Sequence, residues 1–60
     1  MPHLTARVPE AQLAGHEPTL IIALTDAVVE VYGEQTRSGT SIQLVATPEG
    51  RTGIGGAISE

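Results

Sequence analysis

The 60-residue chain contains no cysteine, no phenylalanine, no tryptophan and no lysine. Without cysteine there is no disulfide and no thiolate to hold a metal. Only His3 and His16 could supply nitrogen ligands, too few for a closed zinc site. Tyr32 is the one aromatic, so any core is aliphatic and thin. The three basic residues are all arginine and stand against seven acidic ones, for a formal net charge of −4. That balance argues against a nucleic-acid binder. No apolar run reaches the ~20 residues of a membrane span. No basic segment followed by an apolar one opens the chain, so the expectation is a soluble cytoplasmic protein without a secretory signal.

What is present reads as one small α/β (α+β) domain over residues 1–60. Residues 2–8, "PHLTARV", alternate: Leu4, Ala6 and Val8 on one face, His3, Thr5 and Arg7 on the other. That period predicts a half-buried strand, stopped by Pro9. Residues 19–32 carry the helical period instead. Leu20, Leu24, Ala27, Val28 and Val31 form an apolar stripe, and Gly33 is a C-terminal stop. Pro18 fits a first turn and not an interior, so the helix begins near Glu17, or begins near Gln12 and is disturbed at Pro18. The reading adopted is a ragged, 3₁₀-like start over 12–17 and regular helix from about residue 18. Residues 34–40, "EQTRSGT", read as a polar loop. In 41–47, "SIQLVAT", Ile42, Leu44 and Ala46 alternate with Ser41, Gln43 and Val45, which predicts a second strand ended by Pro48. "PEGRTGIGG" is turn chemistry, and "AISE" is a short tail or a strand that pairs elsewhere.

Two strands joined by a helical crossover are expected to be parallel, with a right-handed connection. A single β-α-β unit lays its helix on one face only. Its other face and its edges stay open, which suits a subunit of an oligomer better than a monomer. A domain of this length buries only about 60% of the surface its unfolded chain exposes, which adds to the case for self-association.

The "GRTGIGG" segment invites a phosphate-loop reading, and its position refuses it. A Walker loop needs Lys and Ser or Thr and must open a helix after a strand. A dinucleotide fingerprint opens the helix of a β-α-β unit. Here the glycines follow the second strand, and the expectation is a tight hairpin with glycine supplying positive φ. At the other end Pro2 follows Met1. Removal of Met1 would leave a secondary amine at the start of a strand, a usable general base once its cationic form is disfavoured. A Met-Pro start alone carries no such meaning.

Pro2, "TLI" at 19–21, the stripe through Val31, "SIQLVAT" and "GIGG" at 53–56 together resemble the 4-oxalocrotonate tautomerase family. The resemblance spans nearly the whole chain, with a small insertion before Ser41 and a small deletion after Thr47. It implies a tautomerase-like β-α-β unit with a C-terminal hairpin, assembled as a hexamer from three dimers, with each hairpin reaching a neighbour. It implies an isomerase in which Pro2 is the general base of a keto-enol tautomerisation. The substrate class is a small 2-hydroxy-dienoate or enol acid, and no cofactor or metal is needed. Where the family binds a substrate carboxylate with an arginine after the first strand, this chain has Gln12. Where it has a second arginine in the second strand, this chain has Gln43. Its apolar wall before "GIGG" is Thr52 here. Glutamine donates hydrogen bonds but loses the charge-assisted bidentate contact.

Arg51, just before the hairpin, is the candidate replacement cation, set against a solvated turn arginine. Glu10 and Glu49 are candidates for activating water, set against surface charge. Arg7 reads as an intersubunit contact, and Arg37 and His16 as surface groups. Two other functions fit the same residues. One is a weakly active accessory subunit of a mixed hexamer, whose partner chain brings the arginines. The other is a non-enzymatic self-assembling protein that keeps Met1.

Overall fold

The computed structural model describes residues 1–59; Glu60, the last residue of the "AISE" tail, lies outside the described residues. Strand β1, His3–Pro9, runs parallel to β2, Ser41–Thr47, with His3 opposite Ser41, Thr5 opposite Gln43 and Arg7 opposite Val45. Between them lie a four-residue helical turn α1, Glu10–Leu13, and the helix α2, Glu17–Tyr32. A 3₁₀ helix, Glu34–Gly39, leads into β2. Two short strands, β3 (Thr52–Ile54) and β4 (Ala57–Ser59), pair antiparallel as a separate hairpin. The parallel β-α-β unit with a terminal hairpin is the architecture the sequence patterns predict.

Local chemistry explains the elements. In β1 the even residues from Leu4 to Val8 are half-buried and the odd ones exposed, so period two places the apolar set toward the helices. In β2 Ile42 and Leu44 follow the same rule. Val45 is half-buried as well, across from Arg7, whose alkyl stem is long enough to shade it. Gly15, at φ 82°, turns the chain between α1 and α2. Pro18 sits in the first turn of α2, where its missing N–H would have had no partner anyway. The start of the helix is therefore an α-helical turn, a glycine bend and a proline first turn, not the 3₁₀ run that the pattern over 12–17 suggests. Gly33 closes α2 at φ 104°, with its N–H donating to Val29 O at 2.7 Å.

The segment 34–40 corrects the loop expectation. Glu34–Gly39 is a 3₁₀ helix held by side chains. The Thr36 hydroxyl donates to Gly33 O at 2.7 Å, the Thr40 hydroxyl to Thr36 O at 2.8 Å, and Gln35 Nε2 to Tyr32 O at 3.0 Å. Arg37 pairs with Glu34 inside this helix at 2.7 Å and ties it to α2 through Asp26 at 2.9 Å. The hydrogen bonds that Arg37 donates to Glu34 and Asp26, Glu34 first, raise its pKa above its ordinary value, so the exposed guanidinium is a paired surface cation.

The apolar core is very small. Leu13 and Val28 are the buried hydrophobic residues, and no described side chain is fully enclosed. The expected stripe is only partly covered: Leu20 and Leu24 are half-buried, Ala27 is exposed and Val31 is 74% exposed. Two strands about 5 Å apart cannot cover a helix about 10–12 Å across. Ile22, Tyr32, Ile54 and Ile58 are also exposed, at 61–72%. The radius of gyration is 14.1 Å, against about 10 Å for a compact chain of this length. The shape is elongated, 43 × 24 × 14 Å.

Candidate functional site

Pro2 stands at the entrance to β1. Its carbonyl accepts the Ser41 N–H at 3.0 Å, which fixes the start of one strand to the start of the other. Next to it, His3 Nδ1 and Ser41 Oγ share a 2.6 Å hydrogen bond on the open face of the sheet, and Thr5 Oγ1 lies 3.4 Å from His3 Nε2. Ser41 thus holds residue 2 through its backbone and residue 3 through its side chain. Sequence reasoning misses this clamp, because it depends on the register of two strands 38 residues apart.

Pro2 also lines an open depression of about 460 Å³ with Met1, Gln35, Thr36, Ser38 and Gly39. None of those side chains titrates near neutral pH. The depression exists because the 3₁₀ helix folds back beside the chain start, with the Met1 side chain about 3.5 Å from where a Cβ on Gly39 would stand. With Met1 attached, the Pro2 nitrogen is an amide and is not basic. With Met1 removed, its secondary amine becomes the one base in the depression.

The other candidate residues lie elsewhere in the chain. Gln12 is exposed on α1, beyond the carboxyl end of β1. Gln43 is exposed on the open face opposite Thr5. Arg51 is exposed after a turn in which its N–H donates to Pro48 O at 3.3 Å and Gly50 takes φ 80°. Thr52 opens β3 and faces a small cleft of about 80 Å³ at the carboxyl ends of the strands, with Pro9, Glu10, Ala11, Thr47, Pro48 and Glu49. Glu10 and Glu49 therefore share a cleft, at the opposite end of the sheet from Pro2. One chain does not bring Pro2, Gln12, Gln43, Arg51 and Thr52 together.

The glycines behave as turn residues. Gly55 and Gly56, at φ 62° and 85°, connect Ile54 to its partner Ala57 as a two-residue hairpin loop. Positive φ at both central positions is the type I′ requirement, and its twist suits paired strands. Gly53 is part of β3. "AIS" pairs within its own hairpin, so the chain itself supplies the partner that the sequence pattern leaves open. Among the described residues no group of three or more His, Asp or Glu side chains is placed to hold a metal ion. No described helix is long and apolar enough to cross a membrane.

Comparison with family models, with curated proteins and with solved structures found no match to this chain.

Proposed function

We propose that this chain is the subunit of an oligomeric isomerase that moves a proton between oxygen and carbon of an enol acid, with Pro2 as general base once Met1 is removed. The observation that carries the reading is the depression at Pro2, where no other lining side chain can act as a base near neutral pH. In the forward direction the amine takes the enol hydroxyl proton and returns it to a chain carbon. The C=C–OH unit becomes CH–C=O, and nothing is gained or lost. Ser38 lines the same depression, and its hydroxyl is a hydrogen-bond donor for the developing enolate.

The near-absence of a core supports a multi-subunit form, homomeric or mixed, with a hexamer as the form the resemblance implies. The dispersal of the candidate residues supports the same view, because residues at opposite ends of one chain can meet across copies. It also favours the second reading, an accessory subunit whose partner chain supplies the arginines.

The test is a substrate comparison with Met1-free protein. A monocarboxylate enol such as phenylenolpyruvate should be turned over better than a dicarboxylate 2-hydroxy-dienoate. Glutamine at 12 and 43 cannot hold a second carboxylate as arginine does. The variant Gln12→Arg/Gln43→Arg should raise kcat/KM on the dicarboxylate by about tenfold or more, since a hydrogen bond to a charged group contributes about 1.5–3 kcal/mol. No turnover of either compound by the parent or the variant would remove the isomerase reading for this chain acting alone.

A further inference from the structure

The register of β1 and β2 brings a nucleophile and a base together on the open face of the sheet. His3 stands directly opposite Ser41, and His3 Nδ1 lies 2.6 Å from Ser41 Oγ. The Ser41 N–H donates to Pro2 O at 3.0 Å and ties the two strand starts together, so both side chains are placed by strands and not by a loop. A neutral imidazole with its proton on Nε2 keeps a lone pair on Nδ1, to which the Ser41 hydroxyl donates. In that tautomer the Nε2 proton faces Thr5 Oγ1 at 3.4 Å, so Thr5 favours the form in which Nδ1 is the base. A nucleophile within hydrogen-bond reach of a base, with a third group orienting the base, is the arrangement that activates serine for acyl transfer. His3, Thr5 and Ser41 are exposed, so an acyl donor can approach them. Gln43 follows Ser41 by two residues on the same face, about 7 Å along the strand. Its side-chain amide can reach an oxyanion formed at Ser41.

We propose that Ser41 and His3 form a nucleophilic dyad that hydrolyses esters of good leaving groups, aryl esters above all, with Thr5 as a positioning residue. The Ser41 oxygen bonds to the acyl carbon as its proton passes to His3 Nδ1. The bond from the acyl carbon to the leaving oxygen then breaks, and that oxygen takes the proton from His3. Water next attacks the acyl-serine and gives a proton to His3, and the Ser41 oxygen leaves with that proton. Ester and water become acid and alcohol, and the dyad returns to its starting state. The leaving-group class follows from what the sheet lacks. Neither β1 nor β2 contains an acidic residue, so no carboxylate of the sheet stabilises the imidazolium formed in each step. Such a dyad serves a group that departs with little help from a proton, as a phenolate does, and not an amine. The inference is independent of the isomerase reading, because neither the Pro2 nitrogen nor an enol enters it.

The test uses protein that retains Met1, in which the Pro2 nitrogen is an amide. The chain has neither lysine nor cysteine, so few other groups compete for an acylating reagent. Hydrolysis of p-nitrophenyl acetate is followed for the parent, Ser41→Ala, His3→Gln and the double variant. Each single change should lower kcat/KM by about 10²-fold, the lower end of what a positioned general base contributes. The double variant should lose no more than either single one, since groups that act as a unit are not additive. Thr5→Val should cost about two- to tenfold and Thr5→Ser should recover it, because a neutral hydrogen bond is lost and then restored. Phenylmethanesulfonyl fluoride should label the parent in the arginine-cleavage peptide 38–51 and leave Ser41→Ala unlabelled. That peptide contains neither the N-terminus nor a histidine. Ser41→Ala keeps the backbone bond to Pro2 O, circular dichroism checks each variant for folding, and the labelling of the parent needs no variant. Hydrolysis unchanged in Ser41→Ala, losses that multiply in the double variant, or label outside 38–51 would each refute the dyad. A parent without esterase activity would refute it too, whatever it does with enols.

Discussion

Pro2→Ala, in protein from which Met1 has been removed, is expected to lower kcat/KM on a monocarboxylate enol by about 10²–10⁴-fold, the usual worth of a positioned general base. The loss should fall mainly on kcat. In the proposed reaction Pro2 acts on the enol unit and not on the carboxylate, so its loss should affect the proton transfer more than binding. Some activity should remain, because the variant chain begins with the primary amine of an alanine in the same place. The Ser41 clamp is unaffected, since it grips the carbonyl of residue 2 and not its ring. Circular dichroism of the variant should therefore match the parent. A variant as active as the parent would remove Pro2 from the chemistry and leave the depression without a base.

The second large effect is on assembly. The parent should sediment as a dimer or larger species at micromolar concentration, and Ile54→Glu/Ile58→Glu should dissociate it. Both isoleucines are about 70% exposed on the hairpin, so no intrachain contact of consequence is lost by changing them. Full burial of an isoleucine is worth about 1.5–3 kcal/mol, so two per copy amount to roughly 3–6 kcal/mol. That corresponds to a weakening of association by about 10²–10⁴-fold. Sedimentation over a dilution series reads the change directly. Folded, compact parent monomer at micromolar concentration would contradict the account, and so would a double variant that assembles as tightly as the parent.

How far the sequence can be read follows from what each element depends on. The strands β1 and β2 and the body of α2 are legible because side-chain period encodes them. The hairpin is legible because Gly55-Gly56 meets a backbone requirement that other residues meet poorly. The 3₁₀ helix is not legible, because nothing apolar marks it. Thr36, Thr40 and Gln35 build it by bonding to carbonyls, and such residues serve loops equally well. Val31 belongs to a core by spacing alone. Periodicity shows which side of a helix is apolar, not how wide a sheet lies beneath it. The mismatch is informative, since a stripe wider than two strands suits the broader sheet of an assembly.

The candidate site is less legible for a related reason. Pro2, Gln12, Gln43, Arg51 and Thr52 are spread over the chain start, α1, the open sheet face and the base of the hairpin. A sequence specifies what one chain can pair within itself. The His3–Ser41 bond is such a pairing, found only once the register is known. A single chain leaves other groups uncommitted, such as the Arg7 cation on the open face and the free edge of β1.

The central claim is that a free amine at Pro2 moves the proton. It is tested most directly by comparing two forms of the same protein, one retaining Met1 and one processed to begin at Pro2, each confirmed by intact mass. Both are assayed for ketonisation of phenylenolpyruvate at matched concentration and oligomeric state. The account predicts catalysis by the processed form and a rate near background for the form with Met1, whose Pro2 nitrogen is an amide. Equal rates from the two forms, or no rate from either, would contradict it.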